Sequence, residues 1–78
     1  MKERQYMNFN YNALRKKIKQ EFKTFGAFAI AMGVPYQRMS RLLTGKAEWK
    51  RDEMYLAADL LNIMDELKEY FFTIESHK

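Results

Sequence analysis

Residues 25–44 read FGAFAIAMGVPYQRMSRLLT. The apolar spacing of this stretch predicts two short helices around a glycine turn. Thr24 is placed to cap the first helix, which runs to Met32 with Phe28, Ala29 and Met32 facing inward. Gly33 ends it, because a left-handed residue after a helix costs glycine least. Val34 plugs the turn. Pro35 suits the first turn of the next helix, where a missing N–H is no loss. That second helix is expected to reach about Thr44, with Met39, Leu42 and Leu43 inward and Gly45 as its stop. Ala29 is small where the two helices must touch.

Upstream of this stretch, Asn10 or Asn12 is placed to cap an earlier helix whose apolar stripe is Leu14, Ile18 and Phe22. Arg15, Lys16, Lys17, Lys19 and Lys23 occupy its other faces. Beyond Gly45, Lys46 to Lys50 form a loop with Trp49 against the core. A fourth helix is expected over Arg51 to Leu61, burying Met54, Ala57, Ala58 and Leu61. Asp52 and Glu53 lie in its first turn, where negative charge complements the helix dipole. A last short helix near Asp65 to Tyr70 delivers Leu67, Phe71 and Phe72 to the core. Tyr6, Phe9 and Tyr11 read as packing residues rather than a base-stacking platform. The expected fold is all-α, a compact bundle of four to five short helices. It forms one domain over residues 10–73, between a flexible arm (1–9) and a tail (74–78).

The chain has 78 residues, 47% of them apolar, and no cysteine. Packing must therefore hold a small core without disulfides or thiolate metal sites. Residues 1–51 carry twelve Lys or Arg against three Glu, a balance of +9, whereas residues 52–78 stand at −5. That asymmetry suits one face to a polyanion and sets the other against it. No secretory signal is visible, and the longest uncharged run, Thr24 to Gln37, is too short to span a bilayer. A soluble protein of the cytoplasm, with no membrane partner, is expected. The one histidine, His77, stands at the chain end, which argues against Ser–His or His–metal chemistry. Gly26, Gly33 and Gly45 are too far apart for a phosphate cradle. Neither an enzyme nor a cofactor is expected, and so short a chain leaves no room for a separate effector domain.

Phe28, Ala29, Gly33, Val34, Met39 and Leu42 fall in the order apolar, alanine, glycine, apolar, apolar, apolar. With Thr44, Gly45 and Lys46 following, the chain resembles the lambda-repressor-like domain, the Cro/CI or XRE type of helix-turn-helix. The likeness runs from about Tyr11 to Phe72. AEWK at 47–50 and the ending around Glu69 to Phe72 look like its small phage-encoded members. The resemblance implies that the helix 35–44 enters the major groove of double-stranded DNA. Its outer face would read bases with Tyr36, Gln37, Ser40 and Arg41. Gln37 would pair with adenine and Arg41 with guanine, each discriminating by ~1–3 kcal/mol. Arg38, Thr44, Lys46, Lys50 and Arg51 would contact phosphates, and the start of the fourth helix would offer amides to another. Such a protein is a Cro-like repressor, expected as a homodimer on half-sites roughly 34 Å apart.

Two departures open an alternative. Phe25 stands where the family often has a phosphate-contacting Gln, and Ile30 and Ala31 where it usually has charged residues. Phe25, Ile30 and Ala31 would then form an apolar patch for a protein partner. The partner reading is a phage modulator, or antirepressor, that binds a CI-like repressor and blocks its DNA binding. Alternatively, Phe25 folds back onto the first helix and Ile30 is a lone exposed aliphatic. An antitoxin role stands as a third possibility.

Overall fold

The computed structural model describes residues 9–72. The expected arm over 1–9 and tail over 74–78, with Tyr6 and His77, therefore lie outside the described residues except at Phe9. The order of elements is α1 (Asn12–Phe22), α2 (Phe25–Met32), α3 (Tyr36–Leu43), α4 (Arg51–Leu61), a 3-10 turn (Met64–Glu66) and α5 (Leu67–Phe71). The fold is all-α, as the apolar spacing predicts.

Each helix boundary has a local cause. The Asn10 side chain accepts from the Asn12 amide at 2.8 Å, so of the two expected caps Asn10 acts, one residue ahead of the N-cap Tyr11. Thr24 accepts from the Ala27 amide at 3.0 Å and starts α2 as expected. Gly33 ends α2 at φ 74°, ψ 27°, and the amides of Gly33 and Val34 return to Ile30 and Ala29. This closure satisfies carbonyls that a helix end otherwise leaves open. Asn62 closes α4 in the same left-handed way, with Ile63 bonding back to Ala58. Pro35 sits one position earlier than expected. It is the extended N-cap of α3 (φ −63°, ψ 149°), and Tyr36 is the first helical residue.

The core gathers Leu14 and Ile18 from α1, Phe28, Ala29 and Met32 from α2, Met39 and Leu43 from α3, and Ala57, Ala58 and Leu61 from α4. Tyr11, Ile63 and Phe71 complete it. Each fully buried Leu, Ile or Phe contributes roughly 1.5–3 kcal/mol, and in a chain this short few such contributions can be lost. Trp49 packs edge-on against Phe71 with ring centres 4.9 Å apart, which ties the loop before α4 to α5. Two expectations change here. Phe72 is exposed rather than core, and Phe9, assigned to the arm, packs edge-on against it at 5.7 Å. The two rings cover one another at the margin: Phe72 is the C-cap of α5 and, unlike the buried Phe71 beside it, is exposed.

Candidate functional site

The sequence points to two surfaces, the outward side of α3 and the outward side of α2. On α3, Tyr36, Gln37, Ser40, Arg41 and Thr44 are all exposed, while Met39, Leu42 and Leu43 are buried. Helical spacing thus turns the expected base-reading residues toward solvent together. Lys46, Lys50 and Arg51 are exposed on the loop and at the start of α4.

Arg38 does not belong with them. Its guanidinium grips Glu53 of α4 in a two-pronged ion pair, Nε to Oε2 at 2.7 Å and Nη2 to Oε1 at 2.8 Å. Nη2 also donates to the Glu48 carbonyl at 3.2 Å. Glu53 Oε1 in addition accepts the Lys50 amide at 2.9 Å, capping α4. The bonds from Arg38 hold the Glu53 carboxyl below its usual value; partial burial opposes them, and the Lys50 amide and the nearby charges reinforce them. The same bonds raise the Arg38 guanidinium. Arg38 is thus a strut between α3 and α4 rather than a phosphate contact. The start of α4, also expected to meet a phosphate, already has a carboxylate on its Lys50 amide.

Two further side chains are partly engaged. Thr44 donates its hydroxyl to the Ser40 carbonyl at 2.8 Å, so its proton is directed at its own helix rather than outward. Arg41 donates from Nη2 to the Lys46 carbonyl at 3.2 Å, which steadies the exposed guanidinium beside the loop. Arg15, read as one of several basic residues on α1, instead donates to the Leu43 carbonyl and to Asn12 Oδ1. It pins α1 to the last turn of α3. The sequence carries a faint signal for this bond, since a helix C-terminus attracts a cation.

On α2, FGAFAIAM holds no charged residue. Ala27, Ile30 and Ala31 are exposed, and Ile30 shows 82% of its surface. Tyr36, just past the turn, is 57% exposed. Phe25 is a correction to the expected patch. It is half-buried against the core, with the Lys19 ammonium 5.2 Å from its ring centre. At 100° per residue Phe25 lies about 140° around the helix from Ile30, on the same side as Ala29 and Met32. It folds toward α1, and the patch consists of Ala27, Ile30 and Ala31.

A cleft of about 320 Å³ lies between α1 and α5, lined by Asn12, Ala13, Lys16, Lys17, Gln20 and Tyr70. Among the described residues, no cluster of His, Cys, Asp or Glu could hold a metal ion. None of their helices is long and apolar enough to cross a membrane.

Residues 7–74 match the model of a family described as "Protein of unknown function (DUF739)". The chain belongs to this family. It is this model, rather than one of the Cro/CI type, that the chain matches, so the earlier resemblance rests on the motif residues alone. Among solved structures, the chain is similar to the solution structure of the modulator of repression (MOR) of the temperate bacteriophage TP901-1 from Lactococcus lactis. The two share 35% identity at a TM-score of 0.74, over 91% of this chain and 97% of that one. No curated protein matches the chain.

Proposed function

We propose that this protein is a phage modulator of repression that docks onto a CI-like repressor and blocks its binding to DNA. The observation that carries the reading is Ile30, 82% exposed on a helix without a single charge. A small soluble domain gains nothing in stability from an aliphatic side chain held in water, whereas a partner's pocket recovers its burial. Ala27 and Ala31 flank it with short side chains that let another surface come close. Tyr36 adds a ring with a polar tip, a residue type enriched where proteins meet. The likeness to the MOR structure supports this reading above the others. The protein would work in the host cytoplasm, without a cofactor and without catalysis.

The test is a binding measurement between the purified protein and the CI-like repressor encoded with it. Ile30→Glu should abolish the complex while the variant keeps its helical signal and melting temperature. Full binding by a folded Ile30→Glu variant would remove α2 from the interface.

A second reading has its own observation. Gln37, Ser40 and Arg41 share the exposed side of α3, where no carboxylate stands among them. This supports a sequence-specific DNA regulator, binding as a dimer with Lys46, Lys50 and Arg51 on phosphates. Selection from a random duplex pool decides it. A palindromic motif that Arg41→Ala relaxes would favour the regulator. Retention that depends only on salt would reflect no more than a basic surface.

A further inference from the structure

α4 carries an exposed side of a different character. Asp52, Tyr55, Leu56 and Asp59 follow the spacing that places four side chains on one side of a helix, opposite the buried Ala57, Ala58 and Leu61. Tyr55 is 51% exposed and Leu56 40%, with an exposed carboxylate on either side along the helix. The 3-10 turn that follows adds Met64, 48% exposed, and the exposed Asp65 and Glu66. Asp52, Asp59, Asp65 and Glu66 take part in neither the Lys17–Glu21 nor the Arg38–Glu53 ion pair.

We propose that this acidic and apolar side of α4 docks the Lys/Arg-rich, DNA-reading surface of the repressor. The proposal rests on the reading of the protein as a modulator of repression and names a second contact for the same partner. A surface that neutralises phosphates must itself be rich in Lys and Arg. Asp52, Asp59, Asp65 and Glu66 supply the complementary charge, which speeds encounter and fixes orientation. Tyr55 and Leu56 supply the apolar centre that gives a charged interface its dry core. The patch on α2 cannot do this work: without charges, it would leave the repressor's cations buried and unpaired. Duplex DNA is excluded as the occupant because the carboxylates repel phosphate. A second copy of this chain is disfavoured too, since two such sides in symmetric contact bring like charges together. The α2 patch therefore holds a neutral part of the repressor, and α4 takes the part that reads DNA.

The experiment titrates the full-length protein against the full-length CI-like repressor of the same phage at about 50 mM and about 200 mM salt. The variants are Asp52→Lys/Asp59→Lys and Asp59→Lys alone. The single variant guards against loosening of α4, because a lysine at position 52 faces the positive end of the helix dipole. Wild-type binding should weaken with salt and be displaced by operator duplex. Both variants should lose affinity, the double one roughly tenfold or more, with a flatter salt dependence. Folded variants that bind within about twofold of wild type would overturn the role of α4. If Ile30→Glu alone then destroys the complex, the modulator reading survives without this second contact. If the wild-type protein binds no repressor at either salt, the modulator reading itself fails, and this proposal with it.

Discussion

Arg38 of α3 and Glu53 of α4 hold one another through two parallel hydrogen bonds of 2.7 and 2.8 Å, and the same carboxylate caps α4 through the Lys50 amide. One side chain thus fixes the start of α4 and its attachment to α3. The paired geometry suits the flat guanidinium, and a lysine at position 38 could not reproduce it.

Glu53→Ala should therefore destabilise the fold. Loss of such a cap costs on the order of 1 kcal/mol, and the ion pair adds a smaller, salt-screened share because water reaches both side chains. In a domain of this size the melting temperature should fall by about 4–8 °C. The pH dependence has a definite sign. The Glu53 carboxyl is lowered in the folded protein, so its contribution is fully present above the ordinary carboxylate value of 4.5. It is lost as pH falls further, through the lowered folded value. Thermal melts of Glu53→Gln should show less of this acid sensitivity; an unchanged acid profile would mean that Glu53 contributes nothing to it.

Lys23 provides a test of backbone strain. It links α1 to α2 at φ 74° and ψ −42°, and the Thr24 amide reaches back to the Phe22 carbonyl at 2.8 Å. This is a γ-turn of the rarer hand, costly for any residue with a Cβ. Lys23→Gly relieves about 1–2 kcal/mol of strain and gives back roughly 0.5–1 through the greater freedom of the unfolded chain. The net expectation is a rise in melting temperature of a few degrees. A drop would show that the lysine side chain contributes more than its backbone costs.

The helices themselves were legible because apolar spacing and the punctuation of Thr24, Gly33 and Gly45 are local signals. The inward positions of α2 and α3 followed from the same spacing, as did Ala57, Ala58 and Leu61 of α4, with Met54 only half-buried, and the outward turn of Gln37, Ser40 and Arg41. The role of Arg38 was not legible. Its partner lies fifteen residues away in a different helix, and only the folded chain brings the two side chains together. Phe25 stood open between two readings: the departure from the family pattern set it beside Ile30, whereas folding back onto the first helix, the alternative reading, is where the structure places it. The α4 side was hidden for another reason. Asp52 and Glu53 read together as a helix start, whereas the structure divides them, Glu53 inward to Arg38 and Asp52 outward beside Leu56.

Ala29 packs in the core at 2% exposure, and the closure of α2 returns the Val34 amide to its carbonyl at 3.0 Å. Ala29→Leu inserts three carbon atoms into that packing. Overpacking of this kind costs typically about 1–3 kcal/mol, so a lower melting temperature and a less protected α2–α3 turn in hydrogen exchange are expected. An unchanged melt would mean that the helices stand farther apart than the packing of Ala29 indicates.

Phe25 and Ile30 should separate stability from recognition, since both are large apolar residues of α2 but face opposite ways. Phe25→Ala removes a half-buried ring and its contact with Lys19, and should cost roughly 2 kcal/mol, less than the 3–5 typical of a fully buried phenylalanine. Ile30→Ala removes a side chain that already stands in water, so stability should change by no more than about 0.5 kcal/mol. Binding to the repressor should show the reverse order. Phe25→Ala, measured well below its melting temperature, should bind within a few-fold of wild type, whereas Ile30→Ala should weaken the complex at least tenfold, the scale of an interface anchor. Chemical denaturation and a binding titration on the two variants settle both halves together. If Phe25→Ala lost the partner and Ile30→Ala kept it, the contact would lie toward α1, and the exposure of Ile30 would have no part in the function.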